Sequence, residues 1–275
     1  MLSYQHDYHA GGPADVHKHG SLAVVLTHMT AKNKPMSYLE SHAGAGLYDL
    51  QSPMAEKTGE ARQGIERWLA LDGPLPDHPY RRVVTETRNR FGPHHYPGSP
   101  WIARLLLRAT DSMHLMELHP GTQPRLKGVM RDDNRIHIHH RDSYEGLMAI
   151  LPPNPRRSLI VIDPSYEVKT EFQKAGQLVL DSHRKCPEAV IMLWYPLLRD
   201  HWHHPMCRRL EQANLPKWAR REVLLASPSG PKRLYGSGLM FVNLPHGIET
   251  SLDQTDHWVP RVHPGETPTN SSHSS

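Results

Sequence analysis

Ser158-Leu159-Ile160-Val161-Ile162-Asp163-Pro164-Ser165-Tyr166-Glu167 is the stretch on which the reading of this chain turns. Its aliphatic, largely β-branched run suits a strand buried on both faces at the centre of a parallel sheet. Pro164 has no N–H to give and ends the ladder, which leaves Asp163 at the strand's carboxyl end. Ligands of open α/β sheets bind at that end. A carboxylate, a rigid backbone carbonyl and an aromatic ring side by side suit a flat heterocycle bearing an amino group. The same residues also make an ordinary Asp-Pro-Ser turn.

Working outward, residues 36–41 read as a strand that runs into His42-Ala43-Gly44-Ala45-Gly46, a turn of small residues that lets a ligand approach the backbone. Residues 112–116 form a strand ending at Glu117, and residues 135–139 form another leading to Asp142 and Ser143. Residues 189–194 end a fifth strand at Trp194-Tyr195-Pro196, and residues 221–226 and 239–244 suit a terminal hairpin. Helices are expected from Asp15 as N-cap, with Leu22, Val25, Leu26 and Met29 inward, and from Ser99 as N-cap followed by Pro100. A further helix with Phe172, Ala175 and Val179 inward follows Asp163. The expected fold class is α/β: a seven-stranded, mostly parallel sheet whose last strand is antiparallel beside the sixth.

Spacing adds an insertion. In dinucleotide-type folds the acidic residue that binds the ribose follows the glycine turn by about 20 residues, whereas Glu117 lies 71 residues after Gly46. The expected division is therefore a core of residues 1–46 and 98–260, an inserted helical subdomain of residues 47–97, and a disordered tail, 261–275, rich in Pro, Thr and Ser.

The net charge is +4 and the pI about 9.0, with short basic patches at Arg81-Arg82, Arg88 to Arg90, Arg156-Arg157 and Lys232-Arg233. That balance favours a polyanionic partner such as nucleic acid, while solvated surface charge accounts for it equally well. No apolar run approaches the ~18 residues that cross a bilayer. The first residues lack the basic-then-apolar order of a secretory signal. Cys186 and Cys207 are too few for a disulfide framework, so a reduced, cytoplasmic setting is expected. His201, His203, His204 and Cys207 lack a matched second cluster and read as surface residues at a helix start, so no metal is expected. His137, His139 and His140 alternate faces and do not share an ion.

Four polar features thus fall at strand ends: the Gly44-x-Gly46 turn, Glu117, Asp142 and Asp163. Glu117 suits ribose hydroxyls and Asp142 an adenine amino group, with Lys18 and His19 placed to meet a carboxylate. The glycine loop is incomplete for a pyrophosphate. S-adenosylmethionine carries the required groups and no phosphate.

Asp163-Pro164-Ser165-Tyr166 resembles the [DNS]-P-P-[YFW] signature of methyltransferases acting on amino groups of nucleic acid bases. Met1-Leu2-Ser3-Tyr4-x-His6, His9-Ala10-Gly11, Ala14-Asp15-Val16-x-Lys18-His19, His42-Ala43-Gly44-Ala45-Gly46, Tyr96-Pro97-Gly98-Ser99-Pro100, Glu117-Leu118-His119-Pro120, Trp194-Tyr195-Pro196 and Ser237-Gly238 together resemble, in order, the RlmJ family. The resemblance runs from Met1 to about residue 245. Its members are bacterial enzymes that methylate N6 of an adenine in 23S ribosomal RNA. The resemblance implies a Rossmann-like class I methyltransferase core with an inserted small helical subdomain. It further implies S-adenosylmethionine contacts at His19, His42, Ser99, Glu117, Asp142 and Ser143, and Asp163 as proton acceptor.

With Lys18, Gly44 and Asp163 added from the residues themselves, these make the expected cofactor site. The expected catalytic group is Asp163, Pro164 and Tyr166, with Tyr166 stacked on the base. Tyr4 and His6 are expected to close over the substrate. The expected partner is 23S ribosomal RNA, naked or in an early large-subunit assembly intermediate, acted on by a monomer away from any membrane. Ser165 and Ser143 depart from the family pattern, which usually has proline and glycine there. A DNA adenine-N6 methyltransferase, a non-catalytic RNA-binding relative and a metal-dependent hydrolase are the alternatives.

Overall fold

The computed structural model describes residues 4–71, 77–228 and 233–261. A 3-10 turn (His6–Tyr8) leads into α1 (Pro13–Ala31) and β1 (Ser37–Glu40). Then come β2 (Leu47–Asp49), α2 (Pro53–Thr58), a π turn (Arg62–Glu66), α3 (Arg67–Ala70), α4 (Pro79–Phe91) and β3 (His95–Pro97). The chain continues through α5 (Ser99–Leu106), β4 (Ser112–Met116), α6 (Thr122–Met130), β5 (Ile136–His139) and α7 (Ser143–Ile150). Next are β6 (Ser158–Ile162), α8 (Thr170–Lys185), β7 (Val190–Leu198), α9 (His203–Gln212), β8 (Ala219–Leu224), β9 (Leu234–Val242) and α10 (Glu249–Trp258).

The strands order as β5-β4-β1-β6-β7-β9-β8, while β2 and β3 pair separately as an antiparallel ladder. The first five are parallel, and β9 runs antiparallel to β7 and β8. From β1 the chain winds outward through β4 to β5 and then returns to β6 on the other side. The order reverses between β1 and β6, the place where a doubly wound sheet leaves a crevice at its carboxyl edge. All five residues of β6 are buried. Strand alternation splits them: Leu159 and Val161 join Leu22, Val25 and Ile102 from α1 and α5, and Ile160 and Ile162 join Phe172, Val179 and Leu210 from α8 and α9. The sheet is thereby covered on both faces, which a central parallel strand requires.

Four local readings are corrected. α1 begins at Pro13 with Gly12 as N-cap, so Asp15 stands inside the first turn, buried, where its Oδ2 accepts from the Gly11 N–H at 3.0 Å. Gly98, not Ser99, caps α5, and the Ser99 hydroxyl donates instead to Glu40. β7 continues past Trp194 to Leu198. Its pairing with β6 stops at Leu193, so Pro196 interrupts no ladder on that side and sits opposite Ser237 of β9. His203, read as a surface residue, is 1% exposed in the first turn of α9. The tail read as disordered lies, from residue 262, outside the described residues. Among the described residues no helix is long and apolar enough to cross a membrane.

Candidate active site

At the carboxyl end of β1 the chain turns through Gly44 (φ +65°) and Gly46 (φ +77°), left-handed backbone that side chains resist. A Cβ on Gly44 would collide with the Tyr48 hydroxyl, so glycine is required there on two counts. Glu117, one residue past β4, fixes this turn. Its Oε2 accepts from the Gly44 N–H at 2.8 Å and its Oε1 from the His119 N–H at 2.7 Å. Burial raises the Glu117 carboxyl above the ordinary value against those bonds. Each oxygen retains a lone pair for a further donor such as a ribose hydroxyl.

Two cavities of about 130 and about 330 Å³ meet above the switch point. His42, Gly44, Ser99, Glu117 and His19 line the first, and Tyr166, Trp194, Pro196 and Leu198 line the second. Tyr4, His6, Lys18, Asp163 and Ser165 belong to both.

The shared wall is a chain of polar contacts. The Lys18 ammonium donates to Asp163 Oδ2 at 2.6 Å and lies 3.1 Å from Asp15 Oδ1. Asp15 Oδ2 is 2.9 Å from His6 Nε2, and His6 Nδ1 is 3.0 Å from the Tyr4 hydroxyl. Burial opposes the Lys18 charge, but Asp15 and Asp163 together outweigh it and hold the ammonium above the ordinary lysine value. Burial likewise opposes the Asp15 charge, and His6 and Lys18 overcome it, holding that carboxyl well below the usual range. One cation therefore serves two carboxylates. Asp163 is 13% exposed and keeps its second oxygen outside this pair.

The neighbouring imidazoles are neutral. Burial takes His19 down to about 3 and His42 to about 4. His19 Nδ1 meets the Tyr96 hydroxyl at 2.7 Å, and His42 Nδ1 meets the Ser41 hydroxyl at 2.8 Å. Neither supplies a positive charge for a carboxylate, and Lys18 is the one lysine or arginine among the described residues lining the first cavity.

Several expected residues sit apart. Asp142 caps α7, accepting from the Tyr144 and Glu145 N–H groups, and neither it nor the buried Ser143 lines the first cavity. It adjoins that cavity through His42, whose ring meets Tyr144 edge-on at 5.8 Å. Tyr166 departs from expectation. Its backbone is left-handed at φ +54°, its ring packs 4.3 Å from Phe172, and it is 3% exposed. Its hydroxyl donates to the Trp194 carbonyl at 2.7 Å, so its faces are largely taken up by the core. Ser165 makes only long contacts, 3.3 and 3.4 Å, to Glu171.

Three residues in or behind the cavity walls are not marked as such by the sequence. Asp15 suits a helix cap by type, which conceals its inward role. Glu40 ends β1 fully buried, held by the Tyr38 and Ser99 hydroxyls, and burial pushes its carboxyl up to about 8. Trp194 is half-buried, its ring 5.3 Å from the Lys18 ammonium and its indole N–H donating to the Ser237 hydroxyl at 2.9 Å. An acidic strand end directly before the glycine turn was the one available signal for Glu40.

Residues 33–270 match the model of the family described as RsmJ, ribosomal RNA large subunit methyltransferase D, RlmJ. The chain is 37% identical over 260 residues to ribosomal RNA large subunit methyltransferase J of Escherichia coli (strain K12), covering 94% of this chain and 93% of that one. It is 33% identical over 258 residues to the protein of the same name from Haemophilus influenzae, covering 92% and 91%. The crystal structure of protein LPL1258 from Legionella pneumophila superposes with a TM-score of 0.82 at 31% identity, covering 90% of this chain and 92% of that one.

Proposed function

The chain belongs to the RlmJ family of ribosomal RNA large-subunit methyltransferases, and from that premise we propose that it methylates the exocyclic N6 of an adenine in 23S ribosomal RNA, with S-adenosylmethionine as donor. The observation that carries this reading is the pair of cavities sharing Lys18 and Asp163 as their wall. Two ligands would meet there, and only there.

The donor set of the first cavity fits S-adenosylmethionine. Glu117 keeps acceptor capacity for the ribose and holds the Gly44 turn beside it, and Lys18 supplies a positive charge for the carboxylate. His19, His42 and Ser99 shape the walls, and Asp142 and Ser143 serve the adenine from the start of α7 in this reading. The cofactor, when bound, supplies an electrophilic methyl group.

The residues of this chain do the rest. The adenine amino nitrogen is a weak nucleophile because its lone pair is delocalised into the ring. Asp163 and the Pro164 carbonyl accept its two N–H bonds and favour the tetrahedral nitrogen that attacks. With a methyl group so supplied, one amino proton would pass to the free oxygen of Asp163 and then to water as the nitrogen is alkylated. Such general-base help is worth about 10²–10⁴-fold.

Lys18 orients Asp163 through its 2.6 Å hydrogen bond before the base arrives. Tyr4 and His6 close the second cavity over the base, which must leave its helix or loop to enter. Trp194 offers a ring to the base at once, and Tyr166 would stack only after leaving Phe172. Residues 47–97 act as an inserted subdomain beside a core of 1–46 and 98–260, and exposed Arg82 and Arg90 on α4 give it phosphate-binding charge. The enzyme works as a cytoplasmic monomer on naked RNA or an early assembly intermediate.

The test offers purified enzyme and labelled S-adenosylmethionine to deproteinised 23S ribosomal RNA lacking the mark and to duplex DNA. Label recovered as N6-methyladenosine from RNA alone is expected. Transfer to DNA alone, or RNA binding without transfer, would defeat the reading.

A further inference from the structure

The histidines at the start of α9 form a group that methyl transfer does not use. One ligand nitrogen from each of His201, His203 and His204 lies within 4.8 Å of the other two. His203 is 1% exposed, and its Nδ1 is buried with no hydrogen-bond partner among the described residues. A buried polar atom left unpaired is uncommon and calls for a ligand such as an ion or a water. The rings are already gathered: His201 stacks on His204 at 4.6 Å, and His204 meets His203 edge-on at 4.5 Å. Tyr195 backs His203 at 5.9 Å, which limits how far that ring can turn away.

We infer that His201, His203 and His204 form a three-imidazole site for a borderline divalent cation of the zinc class. Zinc–nitrogen bonds of about 2.0–2.1 Å place tetrahedral ligand atoms roughly 3.4 Å apart. Side-chain rotation of the exposed His201 closes the remaining gap. Imidazole nitrogens suit a zinc-class ion, and His203 offers one that nothing among the described residues engages. Magnesium and calcium want oxygen ligands and are poorly served by nitrogen alone. Three protein ligands leave the fourth position to water on the side of His201.

Two features oppose a cation here: the positive end of α9, equivalent to about half a charge, and the guanidinium of Arg220. Glu222 acts on His203 in the opposite sense. Three directly coordinating nitrogens act at bond distance, whereas the helix end and Arg220 act at longer range.

The ion would pin the segment joining β7 to α9. Leu198, the last residue of β7, and Arg233 both line the second cavity. Arg233 in turn covers the Trp202 ring at 4.3 Å and pairs with Asp200 at 3.0 Å. A bound cation would therefore stiffen the far wall of the substrate cavity without touching the reacting atoms.

Untagged full-length protein, stripped with chelator and dialysed, is titrated with zinc chloride and separately with cobalt chloride. The wild type should take up one equivalent of zinc, gain thermal stability, and develop the visible absorption of four-coordinate cobalt. His201→Gln and His204→Gln leave the buried ring in place and should each bind at least ~10-fold more weakly, with no thermal shift. His139→Gln, in the separate stack of His114, His137 and His139, should bind like the wild type. Absence of stoichiometric uptake would overturn the site. So would uptake unchanged in both variants, or uptake reduced equally by His139→Gln.

Discussion

In the proposed mechanism Asp163 and Lys18 carry the chemistry, because both line the two cavities and the pair joins an acceptor to a cation. Asp163→Asn keeps the shape and one oxygen but removes the base. Single-turnover transfer to RNA should fall about 10²–10⁴-fold while RNA affinity changes far less. A rate within a few-fold of the wild type would remove Asp163 from the mechanism. Glu40 offers a test independent of catalysis. Burial raises its carboxyl from an ordinary 4.5 to about 8, so the folded state holds its proton more tightly than the unfolded state. Its contribution is intact below pH ~4.5, declines as the pH rises, and is lost by about pH 8. Glu40→Gln mimics the protonated form. Denaturant titrations at pH 5 and pH 8 should show the variant gaining on the wild type at the higher pH, and a constant difference would contradict the burial argument.

The strands that position these residues were legible where a single period dominates. β6, β4 and the polar residues after them follow from short aliphatic runs ended by a charge or a proline. The pairing of Lys18 with Asp163 spans 145 residues, and nothing local announces it. Asp15 misled because an acidic residue near a helix start is a good cap by type. Here Gly12 fills that place, and the carboxylate is used inward. The left-handed turn at Tyr166 sends its ring into the core, an outcome decided by packing against Phe172 and Trp194 and not by the motif itself.

Two substitutions probe the elements. Gly44→Ala forces a side chain into left-handed backbone against the Tyr48 hydroxyl, so calorimetry should show S-adenosylmethionine binding at least ~10-fold weaker. Unaltered binding would detach the turn from the cofactor. Trp194→Ala removes the aromatic wall of the second cavity and should raise KM for RNA by the equivalent of about 1–3 kcal/mol, whereas Tyr166→Phe, which keeps its ring, should raise it much less. The reverse ranking would return the stacking role to Tyr166.

Across the whole molecule, a net charge of +4 spread over several arginine patches argues for backbone contact with RNA that is strong at low salt. The logarithm of RNA affinity should fall linearly with the logarithm of salt concentration. Arg82→Ala and Arg90→Ala, both on the exposed face of α4, should each lessen the slope by about one if they meet phosphates. A slope unchanged in both would move the RNA away from residues 47–97.

The most direct measurement is the mapping of N6-methyladenine in 23S ribosomal RNA from cells lacking this gene, complemented with the wild type or with Asp163→Asn. The mark should vanish on deletion, return with the wild type, and stay absent with the variant. A mark that persists without the gene, or that Asp163→Asn restores in full, would contradict the account.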